Sequence, residues 1–138
     1  MRPLQIRGKI AVLVALTGML LFGCTHPKMA SELIGVYEAH YDQADERLSL
    51  KSDGTFSQEV TLKPNGKVVG GAGTWKYDTV SGDITFTPGF VCALDGFGKL
   101  DPQGVRPTGD LVIKPVTSQF GQLRISLYEG IFYRKVAP

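Results

Sequence analysis

From residue 46 to residue 63 apolar and polar side chains alternate almost one for one. Leu48 and Leu50 point one way, and Arg47, Ser49 and Lys51 the other. After Asp53-Gly54, the residues Phe56, Val60 and Leu62 share a face opposite Thr55, Ser57, Glu59, Thr61 and Lys63. A period of two is that of a strand with one dry and one wet face, not of a helix. Asp53-Gly54 offers the positive φ that a tight hairpin turn needs, so the two strands pair antiparallel. Gln58 alone interrupts the apolar face.

The same alternation recurs on both sides of this hairpin. Residues 33–41 read as a first strand. Pro64-Asn65-Gly66 makes a turn after residue 63. Residues 67–70 and 73–78 read as strands joined by a glycine bulge at Gly70-Gly71. Ser81-Gly82-Asp83 turns into a strand at 84–87, and 111–116, 123–128 and 131–136 complete the set, with a turn at 118–122. About nine short strands result, with no amphipathic helix. One apolar face per strand must be buried, and closing the sheet on itself buries that face and removes exposed edges. The expected fold is all-β, a single antiparallel up-and-down barrel of about eight or nine strands, over residues 33–138.

The amino terminus is of another kind. Arg2, Arg7 and Lys9 precede a mostly apolar stretch at 10–22. As a helix it would span roughly 20 Å, short of a hydrocarbon core of about 30 Å, and so it reads as a signal-peptide core rather than a membrane span. Leu21-Phe22-Gly23-Cys24 comes next and resembles the lipobox of bacterial lipoproteins. That resemblance implies cleavage after residue 23, diacylglycerol on the Cys24 thiol and an acyl chain (palmitate in type) on the new amino group. The other reading is a secretory signal with a chance cysteine. Residues 24–32 are then the lipidated cysteine and a short polar tether. By resemblance to Gram-negative lipoproteins, in which an Asp after the cysteine tends to retain the protein in the inner membrane, Thr25 at that position implies the outer membrane, facing the periplasm.

Composition limits the rest. The chain has fifteen Lys and Arg against thirteen Asp and Glu, for a formal charge of +2. Losing Arg2, Arg7 and Lys9 with the signal turns the balance to −1. With no basic run, nucleic acid is not an expected partner. Cys24 and Cys92 are the two cysteines. With Cys24 consumed by lipid, no disulfide within the mature chain is possible and the core alone must hold the fold.

In the domain, Leu33-Ile34-Gly35-Val36-Tyr37, Asp53-Gly54-Thr55-Phe56, Gly73-Thr74-Trp75 and Tyr133-Arg134 together resemble the small lipocalin-like barrels found among bacterial lipoproteins. The resemblance implies that Tyr37 stands where lipocalins place a Trp, and Arg134 where they place an Arg packed across that ring, a cation–π contact. It departs from lipocalins in the Tyr and in having only Ala137 and Pro138 after the last strand.

Residues 89–110 break the strand rhythm. Gly89, Gly96, Gly98, Gly104, Gly109, Pro102 and Pro107 mark a long loop, and such loops are often binding segments or disordered. Its apolar residues Phe90, Val91, Leu94 and Phe97 either line a barrel mouth or partner-docking patch, or fold back to plug the core. Trp75 and Tyr37, with Tyr77 and Phe86, either stack on a ligand or fill the interior. Cys92 reads as a small buried hydrophobe or as a reactive thiol; the latter would need a nearby cation. His40 with Asp42, Asp45 and Glu46, and His26 with Met29, offer metal-ligand types without metal-site spacing, so no metal is expected and the acidic run reads as a solvated turn. No nucleophile elbow, His-Glu-x-x-His or phosphate loop is present, so neither an enzyme nor a cofactor is expected.

The expectation for function is therefore a membrane-anchored envelope lipoprotein that binds a small apolar ligand or an envelope protein. The alternative is a packed structural or assembly component without a small-molecule ligand.

Overall fold

A computed structural model describes residues 25–138. The expected signal segment and Cys24 lie outside the described residues. A 3₁₀ turn at Ala30–Leu33 leads into eight strands: β1 Gly35–His40, β2 Ala44–Leu50, β3 Thr55–Leu62, β4 Val68–Asp78, β5 Asp83–Thr87, β6 Val112–Gln119, β7 Gln122–Tyr128 and β8 Ile131–Ala137. Each pairs antiparallel with the next, and β8 pairs back to β1, closing an up-and-down barrel.

Alternation does the sorting. Tyr37, Leu48, Leu50, Phe56, Val60, Leu62, Ile84, Phe86, Ile125 and Tyr133 all point inward and are buried. The turns are built as the sequence indicates. Gly54, Gly66 and Gly82 take φ of 83°, 70° and 78°. The Asp53 carboxylate accepts from the Thr55 N–H and hydroxyl, 2.9 and 2.6 Å away. Asn65 and Asp78 accept backbone N–H groups two residues on in the same way.

β4 departs from expectation. It runs unbroken across Gly70-Gly71, in regular register with β3 from Val68↔Thr61 to Thr74↔Thr55, so the expected bulge is absent and two strands are one. The inward glycines of β4 have a different use. A Cβ on Gly71 would lie 2.5 Å from the Gly89 carbonyl oxygen, and one on Gly73 would collide with that of Pro88. The missing side chains make room for the incoming backbone of the β5–β6 loop.

Up-and-down order gives the barrel two unlike ends. One end carries residues 25–33, the β2–β3, β4–β5 and β6–β7 turns, and Pro138. The other carries the β1–β2, β3–β4 and β7–β8 turns and the long β5–β6 loop.

Residues 25–33, which the sequence suggests are largely a polar tether, are fastened to the first end. Thr25 bridges Ser118 of β6, its N–H donating to the Ser118 carbonyl at 3.2 Å. His26 donates from Nε2 to the Thr79 carbonyl at 3.0 Å and packs on Gly82. Tyr77 donates to the Pro27 carbonyl, 2.6 Å, and Lys135 to that of Glu32, 3.0 Å. Leu33 is fully buried, and its carbonyl accepts from the Tyr37 hydroxyl at 2.6 Å.

Candidate functional site

The β5–β6 loop is a small hairpin folded over and partly into the barrel. Its arms touch at the bridges Val91↔Pro107 and Leu94↔Leu100. Gly89 donates to the Thr108 carbonyl, 2.7 Å, and Thr108 back to that of Phe90, 2.9 Å. At the tip, the Asp95 carboxylate accepts from the N–H groups of Phe97 and Lys99, 2.8 and 2.9 Å away.

Phe90 enters the interior against Phe86, ring centroids 4.5 Å apart, and against Phe56 at 6.0 Å. Phe56 and Phe86 meet edge to face at 5.1 Å. Three rings within contact distance fill the middle of the barrel with close-packed apolar surface.

Gln58 clips the loop in place. Its side-chain oxygen accepts the Val91 N–H at 2.7 Å, and its amide nitrogen donates to the Val91 carbonyl at 3.0 Å. The polar residue that interrupts the apolar face of β3 therefore stands in for a strand partner, satisfying both backbone groups of a buried residue.

Beneath that clip lies a buried carboxylate. Glu46 is almost fully buried, and it accepts from the Tyr41 hydroxyl, the Tyr133 hydroxyl and, at 3.1 Å, the Gln58 amide. This corrects the expectation of a solvated acidic turn for Glu46, whereas His40, Asp42 and Asp45 do lie at the surface. Glu46 lies on the inward face of β2, two residues before Leu48, as strict alternation requires. Burial raises its pKa above the usual carboxylate range, while the hydrogen bonds from Tyr133, Tyr41 and Gln58 and the positive charge of Lys114 pull the other way. Burial and the neighbouring Glu46 also raise Tyr41 and Tyr133, so both phenols stay protonated and donate. Lys114 donates to the Leu127 carbonyl, 2.6 Å, and sits 5.3 Å from the centre of the Tyr128 ring. Tyr128 in turn accepts the Leu94 N–H at 3.0 Å. The loop is thus held by hydrogen bonds from β3 and β7 as well as by Phe90.

The residues singled out from sequence separate cleanly. Phe90 and Val91 are wholly buried and Leu94 nearly so, which places them with the plug rather than an open mouth; Phe97 is 89% exposed at the loop tip. Trp75 is buried, with its ring N–H donating to the Lys51 carbonyl at 3.1 Å, and Tyr37 is buried.

Arg134 does not cross the Tyr37 ring. It lies on the outer face of β8, exposed, while Tyr37 points inward, so alternation puts them on opposite sides of the wall. Cys92 is exposed rather than a core residue, beside a groove of about 180 Å³ that it lines with Leu94, Lys99 and Val105. Although the residue reaches the surface, its packing against neighbouring atoms raises the thiol pKa, while the positive charge of Lys114 acts the other way. His40 lies outside the barrel, 2.8 Å from Asp45 and 3.5 Å from Glu38, which raise its pKa; Asp45 and Glu38 are in turn 3.5 and 2.7 Å from Lys63 and Arg47.

Comparison with protein-family models, curated proteins and solved structures found no match.

Proposed function

We propose that this chain is a lipid-anchored cell-envelope protein with a solid barrel, which binds an envelope protein through its loop-capped end. The observation that carries this reading is the filled interior: Phe90 and Val91 occupy the space that a ligand in a hollow barrel would take. Sites for small molecules are concave and mostly apolar, typically about 300–1,000 Å³. The groove beside Cys92, on the loop itself, is smaller, at about 180 Å³, and Asp95, Lys99 and Asp101 contribute to its lining. The groove beside Thr25 is larger, at about 360 Å³, but lies on the outer surface and is lined mostly by polar residues such as His26, Lys28, Glu32 and Ser118.

The anchor reading rests on Leu21-Phe22-Gly23-Cys24 after the apolar stretch at 10–22. A binding surface at the far end agrees with the exposed Phe97 on a tip braced by Asp95. An aromatic side chain presented by a braced tip can serve as a binding anchor when a partner covers it.

A photo-crosslinking residue at position 97 should give one discrete protein adduct in intact cells, lost in Cys24→Ala. The same probe at position 65, on a turn at the same end but off the loop, should give none. Equal adducts from both positions, or none from 97, would count against this reading.

A further inference from the structure

We infer that the barrel rests on the bilayer through the end that holds residues 25–33, with lipid headgroups as its partner, in one fixed orientation that points the β5–β6 loop away from the membrane. This rests on the lipidation of Cys24 proposed above.

A lipoprotein domain on a flexible tether can tumble. Here the residue after Cys24 is already paired to β6, through Thr25 and Ser118. His26, Pro27 and Glu32 are fastened to the β4–β5 turn, β4 and β8 in succession. No slack chain separates the lipidated residue from the barrel wall. An anchor on Cys24 must therefore bring the β6–β7 and β4–β5 turns within a few residues' reach of the headgroups.

The surface there suits such a position. Val80 stands 88% exposed at the β4–β5 turn, and Met29 is exposed beside the 3₁₀ turn. Next to Thr25 opens a groove of about 360 Å³, lined by His26, Lys28, Glu32, Ser118 and Leu123. Its polar lining fits the headgroup and glycerol-ester layer rather than acyl chains. The charges on this end are mixed: Lys28, Lys51 and Lys135 stand with Glu32, Asp53 and Asp78. The contact therefore owes little to attraction for anionic lipid and is insensitive to salt. The loop then stands off by roughly 20 Å, the height of an eight-residue strand at about 3.3 Å per residue tilted by about 40°.

The test uses the lipidated protein, purified from a bacterial host and reconstituted into vesicles of phosphatidylethanolamine and phosphatidylglycerol. In a Cys92→Ser background, Val80→Cys or Phe97→Cys carries a polarity-sensitive fluorophore; both positions are exposed, so neither label perturbs the core. The expected result is a blue-shifted, brightened label at 80 and an unchanged, water-like label at 97, at low and high salt alike. A water-like label at 80 on protein that floats with the vesicles overturns the orientation while leaving the anchor intact. Equal shifts at both positions, meaning a tumbling domain, overturn it too. A purified chain whose mass shows no diacylglycerol on Cys24, and which stays off the vesicles, overturns the anchor reading and the orientation with it.

Discussion

Glu46 is a carboxyl group inside a barrel wall, satisfied by two phenols and an amide. Burial holds its pKa above that of the unfolded chain, which fixes the sign of its effect on stability. Well below the ordinary Glu pKa both states keep the proton. As the pH rises through that value the unfolded chain releases it first, so stability falls until the folded group ionises as well, and then levels. Glu46→Gln removes this dependence. Urea unfolding between pH 4 and 8 should show a decline in the parent protein that is smaller in the variant; identical pH profiles would mean that Glu46 titrates as it does in water. The buried and exposed rings of the loop should also differ sharply. Phe90→Ala removes a buried ring from a three-ring cluster and should cost about 3–5 kcal/mol. Phe97→Ala, at an exposed tip, should stay within about 0.5 kcal/mol. Chemical denaturation of both variants checks the pair.

At the scale of elements, the strands and turns are legible in the sequence because their causes are local. Period-two patterning and the Gly and Asn turn residues need no tertiary information, and they place most strands within a few residues. β4 is not legible in the same way. Gly70-Gly71-Ala72-Gly73 looks like a break, since nothing nearby in sequence explains small residues within a strand. The explanation is a backbone segment arriving from residues 88–91, some twenty residues later. Gln58 and Glu46 are obscure for a related reason. Alternation already puts both on the inward face, but a polar side chain there invites reassignment to solvent unless its partners are known. Those partners, Val91, Tyr41 and Tyr133, come from three other parts of the chain. Gly73→Ala tests the close approach. A methyl group driven into the Pro88 carbonyl must displace the loop entry. The variant should lose about 1–3 kcal/mol and show faster amide exchange at Val91. Unchanged stability and exchange would mean that the strand and loop separate freely there.

The molecule as a whole has a clear polarity. One end gathers the segment beside Cys24 and three tight turns, and the other carries a braced loop with an exposed ring. Between them the interior is filled by aromatic and aliphatic side chains and by the clip of Gln58 on Val91. An eight-strand barrel is about the size at which side chains either just fill the space or leave room for one small ligand. In this chain the β5–β6 loop supplies the extra volume that tips the balance toward filling. The sharpest test of a filled barrel is native mass spectrometry of the protein gently isolated from its own host. The expected mass is that of the chain, with the lipid proposed for Cys24, and no other small molecule. A discrete additional mass that leaves on denaturation would mean instead that the barrel opens to hold a ligand.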